Sequence, residues 1–142
     1  MKIAIITDQH FGARKSSRIF HDFFKKFYRN VFFPTLKKRG ITTVLDLGDT
    51  FDNRRNLDIW AAQWATHNYF DVLKDMGVQV HALVGNHTAY FKNTNLVNTL
   101  VTTVGEYDNV TIYTKATEVE IGGLPIYSYL GLMKRIMMRH MI

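Results

Sequence analysis

Three apolar runs in this chain each stop on a cluster of polar residues, and the stops lie about one strand–helix unit, ~40 residues, apart. The runs are "KIAIIT" (2–7), "TTVLDL" (42–47) and "VQVHALV" (78–84). They end on Asp8-Gln9-His10, on Gly48-Asp49 followed by Asp52, and on Gly85-Asn86-His87. Continuous apolar runs of this length read as buried strands of a parallel sheet. Residues between them show helical spacing. In 17–40, Ile19, Phe20, Phe23, Phe24, Phe27, Val31 and Phe32 fall on the apolar positions, with Ser16 or Ser17 as cap and Gly40 as stop. Pro34 removes a backbone donor and predicts a kink there or a division into two helices. In 57–76 the inner positions are Ile59, Trp60, Ala62, Trp64, Tyr69, Phe70 and Leu73, and Gly77 is the stop. A shorter helix is expected at 93–105, and strands at 109–114, 117–122 and 124–130, with Gly122-Gly123 as a hairpin turn. Strand–helix alternation requires right-handed crossovers and a parallel sheet. The expectation is an α/β fold with a parallel βαβαβ core and a C-terminal β-hairpin, one domain over 1–142.

Composition narrows the class. A hydrophobic content of 46% excludes a disordered chain, and the absence of cysteine excludes a disulfide framework or a thiolate zinc site. No h-region follows the N-terminus, and no apolar stretch reaches the roughly 20 residues of a membrane span. A cytoplasmic location, bacterial or in a phage-infected host, is the expectation. The formal charge of +6 is uneven: nine Lys or Arg between Arg14 and Arg39 face one acid, Asp22. Such a block either tracks a polyanion or is a solvated helix face.

Open parallel sheets bind ligands beyond the carboxyl ends of their strands. Here all three such ends carry Asp, His or Asn. Oxygen and imidazole donors without thiolate suit Mn, Mg, Fe or Zn. Asp49, on the middle strand, is placed to bridge two ions, the usual arrangement for phosphoester hydrolysis. Each cluster alone reads as a turn; their order and spacing together carry the signal.

The motifs "DQH" (8–10), "GDTFD" (48–52) and "GNH" (85–87) resemble those of the metallophosphoesterase (calcineurin-like) superfamily. "ITDQHFG", "GITTVLDLGDTFDNRR" and "GVQVHALVGNHTAYFKN" look most like its recombination and repair nucleases, of the bacterial SbcD type and the phage endonuclease subunits. The likeness covers about 1–130. The Asp-Arg-Gly of the family's protein phosphatases is replaced by Asp52-Asn53-Arg54, which argues against that branch. The resemblance implies two divalent ions, manganese foremost. Asp8 and His10 would hold the first, Asp49 would bridge, and Asn86 would hold the second. His87 would face the scissile phosphate, with Asp52 orienting it. It also implies DNA as substrate, an SMC-like ATPase partner and a possible homodimer. Arg14, Lys15, Arg54 and Arg55, just beyond two strand ends, are the expected phosphate contacts.

Two features depart from the pattern. Thr88 stands where many members have an acid, and the family's later His and Gly-His-x-His segment do not occur. The chain is therefore expected to hold the N-terminal half of the family's α/β sandwich, an incomplete domain with three ligands for the first ion and two for the second. His21, His67 and His81 read as structural. Phe23, Phe27, Trp60 and Trp64 read as core, or else as a dimer surface. A phosphoesterase acting on small substrates and a non-catalytic fragment that binds nucleic acid or a partner remain alternatives to the nuclease.

Overall fold

The computed structural model describes residues 1–52, 58–83, 100–114 and 117–128. Strands β1 (Ala4–Ile6), β2 (Thr43–Asp46), β3 (Gln79–Leu83) and β4 (Val110–Tyr113) form one parallel sheet in that order. In a sheet of sequential order, right-handed crossovers deliver the connecting helices to one face. That face, through Val44 and Val80, packs on Tyr28, Leu36, Tyr69, Phe70 and Leu73 from the helices between the strands.

The first helical run comprises α1 (Arg18–Phe27), a π turn (Tyr28–Phe32) and α2 (Phe33–Arg39). Ser17 caps α1 by accepting from the Phe20 N–H. Pro34 marks the division of the run into two α segments, as its missing donor predicts. It falls in the first turn of α2, directly after the π turn in which the Phe33 N–H reaches the Tyr28 carbonyl, five residues back. The π turn directly before it is the local distortion that accompanies the missing donor. Gly40, at φ 63°, ends the run in the left-handed conformation, as its position after α2 predicts.

The second run comprises α3 (Ile59–Ala65), a π turn (Thr66–Phe70) and α4 (Asp71–Asp75). Asp58 caps it, accepting from the Trp60 and Ala61 N–H groups. Of the helix expected at 93–105, residues 100–104 are helical and bury Leu100 and Val104; 93–99 lie outside the described residues.

The inward face of the first run differs from the sequence expectation. Ile19, Phe23, Phe27 and Val31 point to solvent, with 74%, 65%, 44% and 52% of their surface exposed, and Ile59 on α3 is also exposed. Phe24, Tyr28, Phe33 and Leu36 pack inward instead. The run carries two adjacent apolar stripes and the sheet covers one; periodicity identifies both without ranking them. The core reading therefore fails for Phe23 and Phe27. Trp64 packs on the core, and half-buried Trp60 lies against the His21 ring at 4.9 Å.

A hairpin follows, β5 (Thr117–Ile121) antiparallel to β6 (Leu124–Ser128). Gly122 and Gly123 turn it with φ of 60° and 79°, the paired positive values that suit a two-residue hairpin loop. Leu124 and Tyr127 remain exposed, so part of the hairpin is uncovered.

Candidate metal centre

Beyond Ile6 and Asp46, β1 and β2 cease to be regular strands, but their continuations stay hydrogen-bonded. The Leu47 N–H donates to Ile6 (2.9 Å), Asp8 to Gly48 (3.0 Å), His10 to Asp49 (2.9 Å), Phe11 to Thr50 (2.8 Å) and Asp52 to Phe11 (2.9 Å). This ladder holds the turn carrying Asp8 and His10 against the turn carrying Asp49. Phe11 and Phe51, which bridge in parallel, anchor both turns in the core. Each is almost fully buried, and their rings meet edge to face at 5.8 Å. Phe11 also touches Tyr28, Trp64 and Tyr69. Burying one phenylalanine side chain contributes about 2–3 kcal/mol, so the phenylalanines of "DQHF" and "GDTF" fix the two turns in place.

The ladder brings Asp8, His10 and Asp49 together: one ligand atom from each lies within 4.8 Å of the others. All three residues have positive φ, 55°, 50° and 53°. For side chains bearing a Cβ, that conformation costs about 1–2 kcal/mol per residue. Strain concentrated on three clustered donors is characteristic of a functional site. Asp52 faces the His10 Nδ1 at 3.1 Å, and the His10 Nε2 lies 3.7 Å from an Asp8 oxygen. With Nδ1–H donated to Asp52, the Nε2 lone pair is directed among the carboxylates. Metal-binding imidazoles are commonly oriented by a carboxylate in this way. The donor set of two carboxylates and one imidazole therefore fits a divalent ion of the Mn, Mg, Fe or Zn kind. Asp52 was expected to orient His87. In the described structure it orients His10, and His87 lies outside the described residues, as do Asn86, Arg54 and Arg55.

The segment after the first turn is itself unusual. Arg14, Lys15 and Ser16 follow one another with φ of 54°, 57° and 58°. The turn is tied down by Ser16, whose hydroxyl donates to Asp58, and by fully buried His21, whose Nε2 accepts the Gly12 N–H at 2.9 Å. Arg14 and Lys15 are exposed there, and the Arg14 guanidinium lies 5.3 Å from the Phe20 ring centre. The other two histidines among the described residues have structural partners, as expected: His67 pairs with Asp71, and His81 bonds to the Tyr113 hydroxyl at 2.7 Å.

Sequence reasoning missed a buried polar cluster directly beneath the two turns. Asp46, fully buried at the end of β2, accepts from the Gln9 side-chain amide (2.7 Å), the Thr50 hydroxyl (3.0 Å) and the Gly48 N–H (3.1 Å). Gln9 in turn accepts from the Tyr28 hydroxyl at 2.5 Å. Burial pushes the Asp46 carboxyl up to about 7, against the lowering effect of its three donors, with a smaller upward contribution from Asp8. The signal was present in "TTVLDL", where an acid interrupts an apolar strand two residues before the glycine.

With the geometry in hand, comparison with known proteins gives the class. A family model of calcineurin-like phosphoesterases matches residues 1–136, and the chain belongs to that family. Members of the family generally bind divalent metals, and the Asp8–His10–Asp49 cluster fits that property. Among curated proteins the chain is similar to exonuclease subunit 1 of Enterobacteria phage T4, at 36% identity over 87 residues. That alignment covers 61% of this chain and 25% of the relative, so the chain spans about a quarter of that protein's length. No helix among the described residues is long and apolar enough to cross a membrane.

Proposed function

We propose that the chain carries the first-ion half of the active site of a metal-dependent nuclease that cleaves phosphodiester bonds in DNA. The single observation that carries this reading is the Asp8–His10–Asp49 cluster at two adjacent strand ends, with His10 oriented by Asp52. The likeness to a phage exonuclease subunit and the basic run from Arg14 to Arg39 support a polyanionic substrate over a small phosphoester. Divalent ions, manganese foremost, supply polarisation of the phosphoryl oxygens and a water acidic enough to attack near neutral pH.

The chain's own residues do the rest. Asp8, His10 and Asp49 hold the first ion, and Asp49 with Asn86 offers two ligands to a second. His87 delivers a proton to the leaving oxygen or stabilises charge there. Arg14, Lys15, Arg54 and Arg55 meet backbone phosphates and set register without reading sequence. An SMC-like ATPase, a second copy of the chain and a cytoplasmic setting complete the proposal.

Hydrolysis of duplex DNA ends and of bis-p-nitrophenyl phosphate, each with manganese, tests it. Cleavage of DNA that is lost in Asp49→Asn and in His87→Ala supports the nuclease. Turnover of the small ester alone would point to the other substrate class. DNA binding that survives His87→Ala, with no cleavage by either form, would leave a binding fragment.

A further inference from the structure

We propose that Asp46 is a positioning residue of the metal centre, acting through Gln9, Thr50 and Gly48 to set the spacing of the turns that carry Asp8, His10 and Asp49. This rests on the metal-binding reading above.

The placement of its three bonds carries the argument. Gln9 lies between Asp8 and His10; Gly48 and Thr50 flank Asp49. One carboxylate therefore grips both turns, each at the residue beside a ligand: Oδ2 takes the Gln9 amide and the Thr50 hydroxyl, and Oδ1 takes the Gly48 N–H. The Gln9 carbonyl oxygen accepts from Tyr28, which belongs to the first helical run, so the clamp is also braced from outside the sheet. Gln9 and Thr50 are themselves buried, which fixes their side chains in these bonds.

Stability alone does not call for this cluster. Val44, Val80 and Ala82 share the strand face with Asp46 and are apolar and buried. A buried carboxylate is costly, and a well-packed apolar side chain of similar volume is often neutral or better for stability. An apolar residue at 46 would keep the sheet but release both turns from their common acceptor. Three ligands in strained backbone conformations need such support, because their spacing would otherwise relax.

Manganese titration calorimetry on the full chain, paired with the melting temperature of the metal-free protein, tests the proposal. The set comprises the unsubstituted chain, Asp46→Asn, Gln9→Ala, Tyr28→Phe and Leu73→Ala; the last is a core substitution outside the cluster. The expected result is a manganese affinity about tenfold or more weaker in Asp46→Asn and Gln9→Ala. Tyr28→Phe should weaken it by a smaller factor. Leu73→Ala should lower the melting temperature and leave the affinity unchanged. Should Asp46→Asn not fold, Gln9→Ala and Tyr28→Phe carry the comparison. Unchanged affinity in the cluster variants overturns the proposal, as does an equal loss in Leu73→Ala, which would make the effect one of general destabilisation. No manganese uptake by the unsubstituted chain would remove the metal reading itself, and this proposal with it.

Discussion

Phe11 and Asp46 work on the same two turns by opposite means, one through apolar burial and the other through a buried, hydrogen-bonded carboxyl. Phe11 packs on five aromatic neighbours, so Phe11→Ala should destabilise by about 3–5 kcal/mol. Urea unfolding followed by tryptophan fluorescence would measure that loss. Asp46 predicts a pH dependence. Its folded value of about 7 lies above the ordinary 3.8, so between those values the folded chain holds a proton the unfolded chain releases. The stability this gives is fully present below about pH 4 and is lost as pH rises through about 7, at no more than about 1.4 kcal/mol per pH unit. Metal-free protein should therefore lose stability as pH rises from about 4 to about 7 and level off above that, and Asp46→Asn should flatten that slope. Equal slopes in both proteins would count against the buried carboxyl as its source. At this level the sequence was partly readable. Asp8, His10 and Asp49 stood out because polar types cluster at strand ends. Asp46, Gln9 and Tyr28 did not, because their meeting depends on three separate elements coming together in space.

The helical run over 18–39 shows why element existence was easier to read than element orientation. Its cap at Ser17, its stop at Gly40 and its apolar spacing are local properties, and the structure follows them. Which apolar stripe meets the sheet is a tertiary choice, and Tyr28 decides it by reaching Gln9 while packing on Tyr69. The π turn at Tyr28–Phe32 turns the adjacent Phe32 and Phe33 both towards the core. Pro34 follows that turn directly, and the run divides there into two α segments, the second of the two outcomes its missing donor predicts. A double Phe23→Lys, Phe27→Lys substitution should leave the melting temperature nearly unchanged, since both side chains are exposed and such surface changes usually stay within about 0.5 kcal/mol. A large drop would mean that the stripe is covered in solution. Tyr69→Phe on the second run should be close to neutral or slightly stabilising. Its buried hydroxyl lies beside Gln9 but has no well-formed hydrogen bond among the described residues. Calorimetry would show a clear loss if that hydroxyl were in fact satisfied.

Taken as one object, the chain builds a sheet whose helix-covered face stores the packing energy and whose carboxyl-end rim displays the chemistry. The sequence disclosed this division because strand and helix periods differ and because glycines mark the ends of both. The hairpin over 117–128 was equally plain from Gly122-Gly123. What pattern could not supply was the ladder beyond the regular strands, which depends on the exact register of β1 and β2. That ladder is what turns three separated residues into one candidate metal centre. Diffraction at the manganese absorption edge from crystals soaked in manganese tests this most directly. The account predicts an anomalous peak within ligand distance of Asp8, His10 and Asp49, with the His10 Nε2 turned towards it. Well-ordered Asp8 and Asp49 side chains pointing apart, with no peak between them, would contradict it.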